Sequence, residues 1–347
     1  MIRPEPSLDP TSGSRRLRGA ESPKPHRDYS ETTLTEILDL DLQNGKLIID
    51  PTYLCDFNCR FCSLPVRDTE QLDWDRIRHV LQALALSGLR HAVLSGGEPG
   101  IYRRTPVILS DLRDMRISTT VLTNGIWARD EQRLETVVKS GVHGFLVSVK
   151  AFDEKGYRET TGRKVEKAAW KTALANIAGQ RARGNIDYFG VNIVINTINF
   201  DGLQDTDWIE ELPVMPEITL SLVEPYTDEM IGLVPSPGRL IEALNTLLGK
   251  YEKLGVDCCV EGMPLCLLGG RWRKSIDPAR LQDCNPRIFI KPANGEDHVL
   301  VHTGYQRLLQ FFHLLVCDTC ARKQECPGPH KRTHGLYVGD TLVPYRD

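Results

Sequence analysis

The sequence predicts an α/β fold: a partial (β/α)6 barrel of parallel strands with a cysteine-rich C-terminal extension. Three observations predict it. Six short apolar runs alternate with helix-length amphipathic segments between residues 46 and 254, the pattern of repeated βα units. Polar residues recur where the runs end, at Asn124, Ser148, Asn196 and Glu224, and carboxyl strand ends are where barrel enzymes place their chemistry. After residue 255 the alternation stops, and seven of the ten cysteines follow. The expected division is a tail over 1–30, the barrel over 31–255 and the extension over 256–347.

A chain of 347 residues can bury a full core, in about two domains at most. Its formal charge of −3 carries no basic bias toward nucleic acid. No apolar run approaches the ~18 residues of a membrane span, and the N-terminus lacks an apolar signal core. These features place the chain in a reducing cytoplasm, away from membranes. There, cysteines point to metal ligation rather than disulfides.

The elements follow in order. Residues 1–30 hold Pro4, Pro6, Pro10, Pro23 and Pro25 and too few apolar side chains to fold, so a solvated tail is expected. Leu34–Asp41 reads as a short helix, and Lys46–Tyr53 as the first strand. Asp73 is placed to cap a helix from Trp74 to about Ser87, with Ile77, Val80, Leu81 and Leu84 on one face and Gly88 as its stop. His91–Leu94 is the second strand and runs into Ser95-Gly96-Gly97-Glu98-Pro99, where glycines let backbone approach closely. Ser118–Leu122 is the third strand and ends in Thr123-Asn124-Gly125, a turn signal. Gly144–Val149, Asp187–Ile195 and Ile218–Val223 are the fourth to sixth strands. Long helices are expected over Val165–Arg183 and Leu240–Leu254.

The first strand leads into Cys55-x3-Cys59-x2-Cys62. Three thiolates this close form a soft, sulfur-only claw, suited to an iron–sulfur cluster or to zinc. A closed zinc site wants four ligands, and a four-iron cluster normally takes four cysteines. The fourth is missing locally, so one iron is left for a non-protein ligand. The spacing, with Gly-Gly-Glu-Pro one βα unit later and Thr-Asn-Gly one further on, resembles the radical S-adenosylmethionine (SAM) superfamily. The resemblance covers about residues 46–326. It implies that the open iron binds the amino and carboxylate groups of SAM, and that an electron cleaves the sulfonium to a 5′-deoxyadenosyl radical. It also implies that Phe61 packs near the adenine. The Ser95–Pro99 loop, with Glu98 as a charged acceptor, would meet the SAM ammonium. Thr123 and Asn124 would lie beside its methionine and Ser148 near the ribose or carboxylate, with Asn196 a further cofactor-binding candidate. Glu224 and Tyr226 are the catalytic candidates facing substrate.

The extension holds Cys266, Cys284, Cys317, Cys320 and Cys326. Cys317-x2-Cys320-x5-Cys326 resembles part of the SPASM pattern, and Cys266 with Cys284 followed by C-x2-C resembles the smaller twitch pattern. His330 stands where SPASM has its next cysteine, and no cysteine follows Cys326. One auxiliary four-iron cluster on four of these five cysteines is therefore expected, with zinc as the rival. Adjacent Cys258 and Cys259 would point to opposite faces of a strand and read as small apolar residues.

The reading that results is an oxidoreductase-type enzyme. It abstracts a substrate hydrogen, most readily to modify a ribosomally made peptide, and takes its electron from a flavodoxin- or ferredoxin-type donor. Radical chemistry on a small sugar, nucleotide or cofactor precursor is the alternative. A non-enzymatic iron–sulfur or zinc scaffold is the second, which the Gly-Gly-Glu-Pro and Thr-Asn-Gly loops disfavour.

Overall fold

The computed structural model describes residues 37–38, 40–64, 70–283, 285–293, 296–303, 310–337 and 342–346. The expected tail, half of the expected Leu34–Asp41 helix, and Cys284 lie outside the described residues.

The elements run β1 (Lys46–Ile49), α1 (Trp74–Leu86), β2 (His91–Leu94), α2 (Thr105–Asp114), β3 (Ser118–Thr123), α3 (Glu131–Lys139), β4 (Gly144–Val149), α4 (Glu154–Thr161), α5 (Lys167–Ala182), β5 (Tyr188–Ile195), α6 (Asp207–Glu210), β6 (Glu217–Leu222), α7 (Pro237–Leu254), β7 (Cys258–Glu261), α8 (Asp277–Leu281), β8 (Pro286–Ala293) and β9 (Glu296–Thr303). Asp73 caps α1, its side chain accepting from the Arg76 N–H at 3.3 Å, an N-cap bond that satisfies one orphan donor.

All nine strands join one sheet, in the order β7-β6-β5-β4-β3-β2-β1-β8-β9. Strands β1 to β7 are parallel and neighbour one another in chain order. This is the expected α/β architecture with three strands more than the six expected, β7, β8 and β9. β7, the Cys258-Cys259-Val260-Glu261 stretch, continues the alternation past residue 255. β8 adds parallel to β1 on the other side, and β9 returns antiparallel. The sheet therefore has no break at 255, because both β7 and β8 pair with strands of the barrel.

The strand period of two sorts the faces. Leu47, Ile49, Leu94, Val121, Phe145, Val147, Val191, Ile193 and Leu220 are buried and join the helices in one core. Their alternates, Ile48, Leu122, Ser148, Asn192, Val194, Ser221, Glu261 and Phe289, face a common cavity. In β7 the two cysteines split accordingly: Cys258 is buried in the core, and the Cys259 thiol lies 3.4 Å from the Thr219 hydroxyl. No helix among the described residues is long and apolar enough to cross a membrane.

Candidate active site

The cavity on the inner face holds about 570 Å³ and lies between the cysteine loop and the carboxyl ends of β2 to β7. Cys55, Cys59, Cys62 and Phe61 line it from one side, and Ser95, Gly96, Gly97, Glu98, Thr123, Asn124 and Ser148 from another. Glu224 and Tyr226 line it as well; Tyr226 is 50 % exposed.

The cysteine loop is held by its neighbours rather than by regular structure. The Asn58 and Arg60 N–H groups donate to the Thr161 and Thr160 carbonyls of α4 at 2.8 and 2.9 Å. Phe57 meets Tyr157 edge to face, ring centroids 6.3 Å apart. The Arg163 guanidinium donates to the Asp56 carbonyl at 3.0 Å.

The two glycines after β2 serve this loop. Gly97 N–H donates to the Thr52 carbonyl at 2.8 Å and Glu98 N–H to the Leu54 carbonyl at 2.9 Å. A Cβ on Gly97 would stand 2.2 Å from the Leu54 oxygen, and Gly96 has φ +95°, so both positions need glycine. The close approach expected toward a ligand is thus made to the chain itself.

Glu98 ties two loops together. It is 1 % exposed. Its Oε1 accepts from Gly100 N–H at 2.8 Å and from the Thr123 hydroxyl at 2.5 Å. Its Oε2 accepts from Asn124 N–H at 2.6 Å. Burial pushes its carboxyl up to about 7, against the pull of these hydrogen bonds. The Thr123 hydroxyl in turn accepts from Gly125 N–H and the Trp127 indole, both at 2.9 Å. The Asn124 amide donates to Asp56 at 2.7 Å, closing the ring back to the cysteine loop. The carboxylate expected to act as a free acceptor is first a joint between three loops.

Two expected residues fall elsewhere. Asn196 is fully buried and folds back on its own turn. It donates to the Val194 carbonyl at 2.8 Å and accepts from Ile198 N–H at 2.9 Å. The cavity-facing residues of β5 are Asn192 and Val194 instead. Pro99 opens a short 3-10 turn, Pro99–Ile101, behind the loop.

Five polar residues that the strand-end pattern did not single out also line the cavity: Asp50, Lys150, Asn192, Ser221 and Glu261. Lys150 donates to Ser148 at 2.7 Å and sits 5.4 Å from the centre of the Phe61 ring. Ser221 lies within hydrogen-bond reach of Asn192 and Glu261, at 2.8 and 2.6 Å, and Glu261 is also paired with Arg280. Asp50, at the end of β1, is raised to about 6 by burial, with Lys291 of β8 pulling it back. The parity of each strand was the signal available for these residues.

The donor chemistry fits an iron–sulfur group. Cys55 is pushed up to about 12, chiefly by burial and also by the charges of Glu98, Asp56 and Cys59. Half-buried thiols in acidic surroundings become thiolates only against a strongly cationic partner. A second cysteine group lies apart from this one. Cys266, Cys317, Cys320 and Cys326 line a small cavity with His313, Leu342 and Tyr345. No group of three His, Cys, Asp or Glu side chains that could hold a single metal ion occurs among the described residues.

Comparison with known proteins gives three findings. Residues 49–212 match the family model of the Radical SAM superfamily. Among curated proteins, the chain is 27 % identical over 163 residues to a probable GTP 3',8-cyclase of Methanococcus vannielii, covering 46 % of this chain and 53 % of that protein. It is 29 % identical over 132 residues to the PqqA peptide cyclase of Xanthomonas axonopodis pv. citri, covering 35 % of each. The match thus spans about half or less of these relatives. Among solved structures, Streptococcus suis SuiB bound to S-adenosylmethionine superposes with a TM-score of 0.58 at 17 % identity, over 87 % of this chain and 76 % of that one; this likeness is one of fold.

Proposed function

The chain carries a radical SAM domain over residues 49–212, and from that premise we propose that it is a radical SAM enzyme acting on a ribosomally made peptide. Cys55, Cys59 and Cys62 would hold a four-iron cluster whose fourth iron takes the SAM amino and carboxylate groups. When bound, that cluster supplies the electron that opens the sulfonium to a 5′-deoxyadenosyl radical. The observation that carries the reading is the shared cavity: the three-cysteine loop, the Gly96–Glu98 loop and Thr123-Asn124 all face one space of about 570 Å³.

This chain's residues have distinct tasks around that space. Phe61 offers a face for the adenine, with Lys150 stacked on it and free to meet a carboxylate. Ser148 fixes Lys150. Glu98 sets the height of the Asn124 loop and gives the SAM ammonium a negative neighbour. Asn192, Ser221, Glu224 and Tyr226 then fall to the substrate end. Peptide as substrate is supported by the PqqA peptide cyclase likeness and by the half-exposed Tyr226 at the cavity mouth. The GTP 3',8-cyclase likeness favours a second reading, radical chemistry on a small molecule at the same site. A ferredoxin- or flavodoxin-type donor would supply the electron.

The test is reductive SAM cleavage. Anaerobically reconstituted protein given a strong reductant should release 5′-deoxyadenosine, and Cys59→Ala should release none. Equal rates in the two proteins would defeat the reading.

A further inference from the structure

We infer that Asn192, Ser221 and Glu261, with Glu224 beside them, form a recognition wall that takes a positively charged nitrogen group of the substrate, an ammonium or a guanidinium. The inference rests on the radical SAM reading only in calling the bound molecule a substrate. The wall itself comes from strand register, hydrogen-bond count and charge.

Three adjacent strands build the wall. Ser221 of β6 and Glu261 of β7 stand opposite each other in register. Asn192 of β5 pairs with Thr219, two residues before Ser221. The strand period of two therefore puts all three side chains on the inner face, where they line the cavity. Ser221 and Glu261 are buried. α8 braces them from behind. Its Arg280 pairs with Glu261 and lines a cleft outside the cavity. Its Asp277 carboxylate accepts from Gly262 N–H at 2.8 Å, which fixes the end of β7.

Asn192 and Ser221 are one donor short. The Ser221 hydroxyl lies 2.6 Å from Glu261 Oε1 and 2.8 Å from Asn192 Oδ1. A hydroxyl carries one proton, and the carboxylate is both the nearer and the stronger acceptor. Once Ser221 serves Glu261, the Asn192 oxygen has no donor within the wall. Turning the amide over lets its NH2 donate to the hydroxyl, but the oxygen still has none. An acceptor left unmet beside buried neighbours costs free energy, so its donor has to come from what the cavity holds.

Charge decides which donor. Among the described residues, four carboxyl side chains line the cavity, Asp50, Glu98, Glu224 and Glu261, against one cation, Lys150. Glu98 is bonded within its own loops, and Lys150 sits over Phe61. Glu224 belongs to the wall: its Oε1 lies 3.5 Å from where a Cβ on Gly262 would stand, beside the end of β7. A neutral N–H would serve Asn192 alone. An ammonium or guanidinium carries several donors, enough for Asn192 and the carboxylates together, and its charge is opposite to theirs.

The test is equilibrium dialysis against the full chain, reconstituted without oxygen and held in excess SAM so that the SAM ammonium does not compete. The probes are acetyl-glycyl-X-glycine amides, with arginine, lysine, norleucine or glutamate at X, and triglycine amide with a free amino end. At least one cationic probe should bind about tenfold more tightly than the norleucine probe, the difference one charged hydrogen bond makes; the one that binds best identifies the group. The glutamate probe should bind most weakly. Asn192→Leu should remove about tenfold from the best cationic probe and nothing from norleucine. Glu224→Lys should invert the ranking in favour of glutamate. Equal binding of cationic and norleucine probes, or binding by none, overturns the inference, as does a ranking that neither variant moves. Should Glu224→Lys fail to fold, Asn192→Leu, which keeps the side-chain volume, decides. Failure of the radical SAM reading is a different result: no 5′-deoxyadenosine from the parent protein, with the probe ranking intact.

Discussion

The two cysteine groups of this chain differ in what surrounds them. Cys55, Cys59 and Cys62 stand on a loop with no regular structure, at the wall of a space of about 570 Å³. Cys266, Cys317, Cys320 and Cys326 enclose about 20 Å³ under a C-terminal strap. Three thiols beside a large cavity suit an open site, where a cofactor would complete the coordination, and four thiols around a small apolar space suit a closed one. The difference lies in thiol count and room. Burial raises Cys55 in the first group and Cys266 in the second alike.

The largest effect that would sharpen this contrast is expected from Gly97→Ala. Its new methyl would meet the Leu54 carbonyl at 2.2 Å, and both partners are backbone, so the cysteine loop must move away from the Glu98 loop. Displacements near 1 Å cost about a hundredfold in positioned chemistry. SAM cleavage should fall by at least about that factor, while any metal held by Cys266, Cys317, Cys320 and Cys326 is retained. Loss of metal from both groups would show that the two are coupled through the fold.

Glu98→Gln should act on the open site alone and more mildly. The substituted amide would turn a donor toward the Asn124 N–H, which now donates to Oε2 at 2.6 Å, and would remove the charge that the proposed function sets beside the SAM ammonium. A charged hydrogen bond is worth ~1.5–3 kcal/mol, so SAM affinity should weaken by roughly tenfold or more. Equilibrium dialysis with SAM checks this, and an unchanged dissociation constant would exclude Glu98 from the SAM site.

Much of the open site was legible because its signals are local. Cys55, Cys59, Cys62, Gly96, Gly97, Glu98, Thr123 and Asn124 are runs at strand ends, and all of them line the cavity. Asn196 misled, since the end of a strand does not reveal which face a side chain takes. Asn192 and Val194 carry the inward parity, and Asn196 spends its amide on its own turn. β7 was missed because the alternation was expected to stop at residue 255, although Cys258 and Cys259 already read as small apolar residues of a strand, and Cys258 packs as one. The β8–β9 hairpin had a signal too, an apolar run Arg287–Ala293 before Asn294-Gly295, outweighed by the cysteines around it. The convergence of Cys266 with Cys317, Cys320 and Cys326 on one small cavity depends on contacts between distant stretches, which no local pattern reports.

The smallest effect expected concerns Asp50, which lines the larger cavity beside β1. No described residue donates a hydrogen bond to its carboxylate, and burial raises it from 3.8 to about 6 while Lys291 opposes the rise. A carboxyl raised in the fold favours folding while it is protonated. That contribution is full below pH 3.8 and is lost as pH climbs through about 6. Asp50→Asn stays neutral throughout, so its stability relative to the parent should rise between these two values and then level off. A shift of this size is worth at most about 3 kcal/mol. Water in the open cavity screens the charge, which reduces the expectation to the order of 1 kcal/mol. Thermal unfolding of metal-free parent and variant across pH 4 to 8 reads the difference without interference from acid-labile clusters. A flat difference would mean that Asp50 is fully solvated or paired in solution.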